Sequence, residues 1–248
     1  FILVIHSCFF LFFSFFSFSY MTQLSSGKKL FKAHQQSLNS FYKNNIESVL
    51  FDEYQTLIIN RIYSRQNSYI RTGTIYFVSC GKTLTICNKI SNMLNSLDVS
   101  SRSLNANECL HGDIGSIDCL NPNNVVIFVS MTGGTPEVIK CVETLLQKIK
   151  VLQLTKENSP LFLTMTKEKD SMLHNIVNPV GVSIPLNYEG VTKDEDIFHN
   201  VKAPTLSLQL LYLFMDCLFV EIIEKIGDKD ELNKKFSMNH PGGGLSIK

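Results

Sequence analysis

The chain has almost no charge imbalance, no C-x-x-C pair and no long linker. Its 23 Lys plus Arg against 22 Asp plus Glu leave a formal charge of +1. A protein that lives on phosphate-backbone contacts carries a clear basic excess, so general nucleic-acid binding is disfavoured. Seven cysteines, an odd number without paired spacing, read as reduced thiols of a cytoplasmic protein rather than a disulfide framework. They supply no zinc ligand set, so no metal or other cofactor is expected. No internal repeat or heptad organises the sequence. Against these absences, 44% hydrophobic residues provide ample material for a core. A length of 248 residues suits one large domain, or one domain with an appendage.

Residues 1–20 hold eight of the 18 phenylalanines and no Asp, Glu, Lys or Arg. The stretch is just long enough to cross a bilayer, which takes roughly 20 apolar residues. It has neither the basic start nor the small-residue cleavage site of a secretory signal. The first methionine is Met21, after which the composition turns polar. Residues 1–20 are therefore read as upstream sequence outside the native protein, with a membrane anchor as the alternative. Residues 21–248 are read as a single domain.

Within that domain, apolar residues recur at helical spacing from Leu30 to Ile62, predicting two amphipathic helices broken near Asn44 and Asn45. Short apolar runs at 74–79 (TIYFVS), 125–130 (VVIFVS), 161–165 and 182–186 then alternate with helical patterns at 82–97, 136–151 and 171–177. Strands separated by helices on this spacing imply βαβ units and a parallel sheet covered on both faces, an α/β fold. A last helix runs from Pro204 to Ile226, ends at Gly227 and is apolar almost all round. Asp216, Glu221 and Glu224 interrupt it, so it is read as buried between the sheet and a partner subunit rather than in a membrane.

In such a sheet, ligands bind beyond the carboxyl ends of the strands, which directs attention to two strand-to-helix turns. The first is Ser79-Cys80-Gly81-Lys82-Thr83. A nucleotide P-loop needs a glycine five residues before Gly81, and Tyr76 stands there, so that reading fails. What survives is Lys82, Thr83 and free amides at a helix start, a phosphate or polyol contact or else a solvated surface lysine. The second turn is Ser130-Met131-Thr132-Gly133-Gly134-Thr135-Pro136-Glu137. Three hydroxyls, two glycines and a helix N-terminus together make an anion cradle. Thr-Pro-Glu alone is an ordinary helix start, but that leaves the hydroxyl and glycine cluster unexplained.

These residues carry a family resemblance. Residues 130–137 resemble the S-x-S-G-x-T-x-E signature of sugar isomerase (SIS) domains, with Thr132 in place of the second serine. Residues 77–89 (FVSCGKTLTICNK) resemble the G-x-G-K-S-G-x-x-x-x-K turn of the arabinose-5-phosphate isomerases, with Ser79 and Leu84 replacing glycines. Residues 108–115 (ECLHGDIG), 203–207 (APTLS) and 240–245 (HPGGGL) are similar to that family's E-A-x-H-G-D-L-G, A-P-T-S-S and H-P-G-G-A-L stretches, in the same order.

The resemblance implies a three-layer αβα sandwich around a five-stranded parallel sheet. It implies interconversion of D-arabinose 5-phosphate and D-ribulose 5-phosphate through an enediol, in a single-domain form without the paired nucleotide-sensing modules of longer members. Its catalytic set carries over to Lys82, Glu137 and His240, and by counting back from Ala203 to Asp196, where the family's flanking Cys-Pro-Leu-Gly has become Phe198-His199-Asn200-Val201. Substrate contacts are expected from Ser79, Thr83, Ser130, Thr132, Gly133, Thr135, His111, Asp113, Thr205 and Ser207. Glu137 would be the base, Lys82 would stabilise oxyanion charge, and His240 would open the ring or shuttle hydroxyl protons. His174 and His199 stand outside every motif and are expected at the surface. The expected partners are a small sugar phosphate and further copies of the chain, as a dimer or tetramer. A non-catalytic phosphosugar-binding regulator is the alternative, since a fold does not fix a function.

Overall fold

A computed structural model of the protein describes residues 25–65, 69–198 and 200–242. The expectation for residues 1–20 lies outside them, as do His199 and Gly243, Gly244 and Leu245 of the closing motif.

Two helices, α1 (Ser26–Asn45) and α2 (Val49–Ile62), open the described chain and break where the asparagines predict. A small antiparallel pair follows, β1 (Tyr63–Arg65) with β2 (Tyr69–Arg71). Then comes the α/β alternation: β3 (Ile75–Ser79), α3 (Gly81–Ser96), β4 (Ser101–Asn105), the single-turn α4 (Ala106–Cys109), β5 (Val125–Val129), α5 (Pro136–Val151), β6 (Leu161–Thr166), α6 (Met172–Val177) and β7 (Val182–Pro185). The helices α7 (Asp194–Ile197), α8 (Leu206–Ile226) and α9 (Lys229–Met238) close it.

Five strands form one parallel sheet in the order β4-β3-β5-β6-β7. Strands β3, β5 and β6 are buried along their whole length, which is why they read as unbroken apolar runs. Alternate residues divide between two core layers. Ile75, Phe77, Ile127 and Leu163 face α1, α2, α3 and α8, whereas Tyr76, Val78, Phe128 and Phe162 face α4, α5 and α6. The three-layer sandwich is thus complete within one chain.

Helix α8 is the spine of the first layer. Phe214 meets Phe51 edge-on at 5.6 Å and Phe219 meets Phe77 at 5.4 Å, each such pair adding about 0.5–1.5 kcal/mol to the area buried. Among the described residues it is the one helix long and apolar enough to cross a membrane, and more than half of its most apolar stretch is buried in the chain. Its polar interruptions have partners here: Asp216 pairs with Lys89 of α3, and Glu221 accepts from Gln55 of α2 at 3.1 Å. The cover expected from a partner subunit is therefore supplied largely by α1, α2 and α3.

The chain runs from β3 outward to β4, then crosses back to place β5 on the other side of β3. The connection direction reverses between β3 and β5, and in open α/β sheets ligands bind at that switch point. The two turns singled out from the sequence leave these two strands.

Candidate functional site at the switch point

The ends of β3 and β5 are tied together. Ser79 is buried, and its hydroxyl donates to the Val129 carbonyl at 2.8 Å. This hydroxyl, expected to touch substrate, is instead committed to holding the strand ends in register. Gly81 then takes a left-handed φ of +59° with open space where a Cβ would be, turning the chain sharply into α3. Lys82 is exposed in the first turn of that helix and Thr83 half-exposed beside it, so both face outward at the strand ends.

The second turn is bound mainly to itself. The Ser130 and Thr135 hydroxyls lie 2.8 Å apart, Gly133 N–H donates to Ser130 Oγ at 3.1 Å, and Gly134 N–H donates to Thr132 Oγ1 at 3.3 Å. The cradle's hydroxyls and amides therefore preorganise one another.

Beneath the turn lies the 166–174 loop. Gly133 has a φ of +61°, and a Cβ there would stand 2.3 Å from Ser171 Cβ. Leu173 N–H donates to Gly133 O at 3.0 Å, and Lys167 N–H to Met131 O at 2.9 Å. His174 fixes this loop. Contrary to the surface position expected for it, it is fully buried, because both ring nitrogens find partners: Nδ1 on the Lys169 carbonyl at 2.7 Å and Nε2 on the Thr166 hydroxyl at 3.1 Å. The sequence offered little sign of this beyond a serine N-cap three residues ahead, Ser171, whose Oγ accepts from His174 N. Gly133→Ala is expected to cost about 2–4 kcal/mol, from the left-handed backbone and the contact with Ser171. Thermal unfolding checks this; an unchanged melting temperature would show that the turn is not clamped as described.

Glu137 is half-buried in the first turn of α5, beyond the Thr135 cap and Pro136. Burial raises the Cys80 thiol above its ordinary value, and the charge of Glu137 raises it further. The carboxylate therefore stands within electrostatic reach of the residue two before Lys82. His111 and Asp113 are exposed in the segment after α4, off the adjacent strand β4, with Gly112 at a φ of +128° between them.

Two of the expected catalytic residues sit elsewhere. Asp196 is exposed on α7. The carboxylate tied to the A-P-T segment is Asp194: its Oδ1 accepts from Thr205 N–H and Oγ1, Leu206 N–H and Ser207 N–H at 2.7–3.3 Å, and Oδ2 accepts from Ser207 Oγ. Asp194 thus caps α8 from outside the helix, and the Thr205 and Ser207 hydroxyls, expected on substrate, serve that cap. Asp196, reached by counting back from Ala203, takes no part in this cap. His240 follows α9, its ring 4.0 Å from that of Phe236 and its Nδ1 2.7 Å from the Phe236 carbonyl. The neighbouring Asn239 bonds to Ser96 O and Asp98 Oδ1, at the far end of α3 from Lys82. That helix has 16 residues, about 24 Å of rise, so one chain does not bring His240 to Lys82 and Glu137.

Among the described residues there is no group of three or more His, Cys, Asp or Glu placed to hold a metal ion.

No family model matches the sequence. The chain is 26% identical over 174 residues to the arabinose 5-phosphate isomerase KpsF of Escherichia coli O6:H1, covering 70% of this chain and 46% of that protein. It is likewise 26% identical over 178 residues to the arabinose 5-phosphate isomerase GutQ of Escherichia coli K12, covering 71% and 47%. The matched segment thus spans just under half the length of these curated relatives. Among solved structures, an Escherichia coli CFT073 protein, solved as a sugar-phosphate complex, superposes with a TM-score of 0.57 at 20% identity, covering 82% of this chain and 93% of that one. A putative phosphosugar isomerase from Bacteroides fragilis gives 0.59 at 19% identity, covering 81% and 92%. The NanR protein of Vibrio vulnificus complexed with ManNAc-6P gives 0.60 at 11%, covering 91% and 71%.

Proposed function

We propose that the chain, which is similar in sequence to the arabinose 5-phosphate isomerases and shares the fold of solved phosphosugar isomerases, interconverts an aldose phosphate and a ketose phosphate. D-arabinose 5-phosphate and D-ribulose 5-phosphate are the first pair to test. The observation that carries this reading is the meeting of two turns at the switch point. One is a self-bonded hydroxyl and glycine cradle suited to a dianion, followed by Glu137 in the first turn of α5; the other presents a lysine at the start of α3.

The reaction moves a proton between C1 and C2 through an enediol. The phosphate would rest on the amides and hydroxyls of 130–135 at the start of α5, where the helix dipole favours negative charge. Glu137, held on the same first turn, would take and return the proton. Lys82 would sit where negative charge develops on the carbonyl oxygen. His240 is out of reach within one chain, so the acid-base set closes only if another copy brings its α9 to this sheet end. That would make a homo-oligomer part of the active site.

Incubation of the purified protein with D-ribulose 5-phosphate, followed by separation of the products, tests the proposal: arabinose 5-phosphate is expected to accumulate to an equilibrium mixture. One observation favours a second reading, a phosphosugar-binding regulator. With Asp194 engaged in the helix cap and Asp196 exposed, neither aspartate is held at the cradle as the expected fourth carboxylate. Saturable binding of the sugar phosphate without turnover would select that reading.

A further inference from the structure

Two buried thiols that the proposed reaction does not use lie in the second core layer. Cys109 closes the single turn of α4, and Cys141 lies in the second turn of α5. Both are fully buried and belong to the same apolar cluster. Cys141 Sγ is 3.3 Å from the carbonyl oxygen of Ala106, one helical turn before Cys109. That hydrogen bond sets the Cys141 sulfur against the turn that ends at Cys109. Two helices that already pack together thus hold two buried cysteines in one apolar cluster, one sulfur lying against the turn of the other.

The pair is polarised. The hydrogen bond from Cys141 lowers the Cys109 thiol below its ordinary value, against burial and the nearby charge of Asp113. The same bond, with burial, raises Cys141. A route for small oxidants exists as well. Helix α4 has four residues, and residues 107, 108 and 110–113 around it are exposed, so local opening of this turn is cheap compared with global unfolding.

We propose that Cys109 and Cys141 are a redox-modification site that closes to a disulfide when the protein meets a hydroperoxide. The Cys109 thiolate attacks the peroxide: an S–O bond forms, the O–O bond breaks, and the departing oxygen leaves as water. The Cys141 sulfur then displaces the hydroxyl from Cys109: the S–S bond forms, the S–O bond breaks, and hydroxide leaves as water with the Cys141 proton. Two thiols are oxidised, one hydrogen peroxide is reduced, and two waters form. The product joins the segment carrying His111 and Asp113 to the helix carrying Glu137. Excess dithiol reverses it. The inference needs no isomerase activity and stands apart from that reading.

The full chain is treated with hydrogen peroxide, blocked with iodoacetamide, digested without reduction and mapped by mass spectrometry. A linked pair of peptides containing Cys109 and Cys141 is expected, lighter by the two hydrogens lost and released by dithiothreitol. The link should vanish in Cys109→Ala and in Cys141→Ala and persist in Cys80→Ala. Recovery of both cysteines as alkylated monothiols from the treated wild-type protein would overturn the proposal. So would Cys109 or Cys141 linked instead to Cys80 or Cys119. The wild-type map decides the matter even if a core variant folds poorly.

Discussion

Glu137→Gln is expected to lower sugar-phosphate isomerisation by about 10²-fold or more, the span that a positioned general base contributes. Glutamine keeps the size and the hydrogen-bonding reach of the side chain but cannot accept the C–H proton. The site around it should change little: Thr135 still stands at the N-cap position of α5, Pro136 still opens it, and the Ser130–Thr135 bond is untouched. Binding of the phosphate should therefore survive, and the loss should fall on kcat more than on KM. Steady-state kinetics with D-ribulose 5-phosphate separate the two parameters. A variant with full turnover would remove Glu137 from the role, whereas one that binds no sugar phosphate would mean that Glu137 anchors the ligand rather than the proton.

Asp194→Ala is expected to cost about 2–4 kcal/mol of stability, because unmet donors at a helix start are costly. The change removes a carboxylate that receives three backbone N–H groups and two hydroxyls at the start of α8. The loss stays modest because Asp194 is partly exposed and water can replace some of those bonds. The consequence reaches beyond the cap, since α8 is the spine of the first core layer through Phe214 and Phe219.

The pH dependence follows from the same bonds. Burial pushes the Asp194 carboxyl upward, but hydrogen bonds from Ser207 and Thr205 outweigh it and leave the folded value below the ordinary 3.8. A carboxyl depressed in the folded state contributes stability that is fully present above its unfolded value and is lost as pH falls through the folded one. The gap in melting temperature between wild type and Asp194→Ala should thus be constant from neutral pH down to about 4. It should narrow only in more acid solution. A gap that closed between pH 7 and 5 would assign the cap to a histidine or another group.

Much of the fold was legible because burial on both faces writes itself as an unbroken apolar run, as in IYFVS at β3 and VVIFV at β5. The edge strand β4, SRSLN, was not, since only its first residue is buried and its one large apolar side chain is Leu104. Helix α9 was missed for a similar reason: KDELNKKFSM is charged, has no buried residue and shows no apolar stripe. The β1–β2 pair fell where helical spacing from α2 still ran on in the sequence.

At the site, the glycine and hydroxyl chemistry of 130–137 was readable because left-handed backbone and caps demand particular residue types. Which hydroxyls remain free for a ligand was not. Ser79 and Ser207 look like ligand residues in sequence, and only the fold shows their protons spent on Val129 and Asp194. Long-range positions were the least visible of all. No local pattern tells that His174 folds beneath the cradle or that His240 lies at the opposite end of α3.

In the proposed reaction Glu137, at the switch point, abstracts a carbon-bound proton from a phosphorylated sugar. Proton NMR in deuterium oxide, with D-arabinose 5-phosphate and the purified protein, tests it at the atom concerned. Solvent deuterium should appear at C2 of the aldose and C1 of the ketose with wild type, and fall by about 10²-fold with Glu137→Gln. Exchange that continues undiminished in the variant, or none with any pentose or hexose phosphate that the wild-type protein binds, would contradict it.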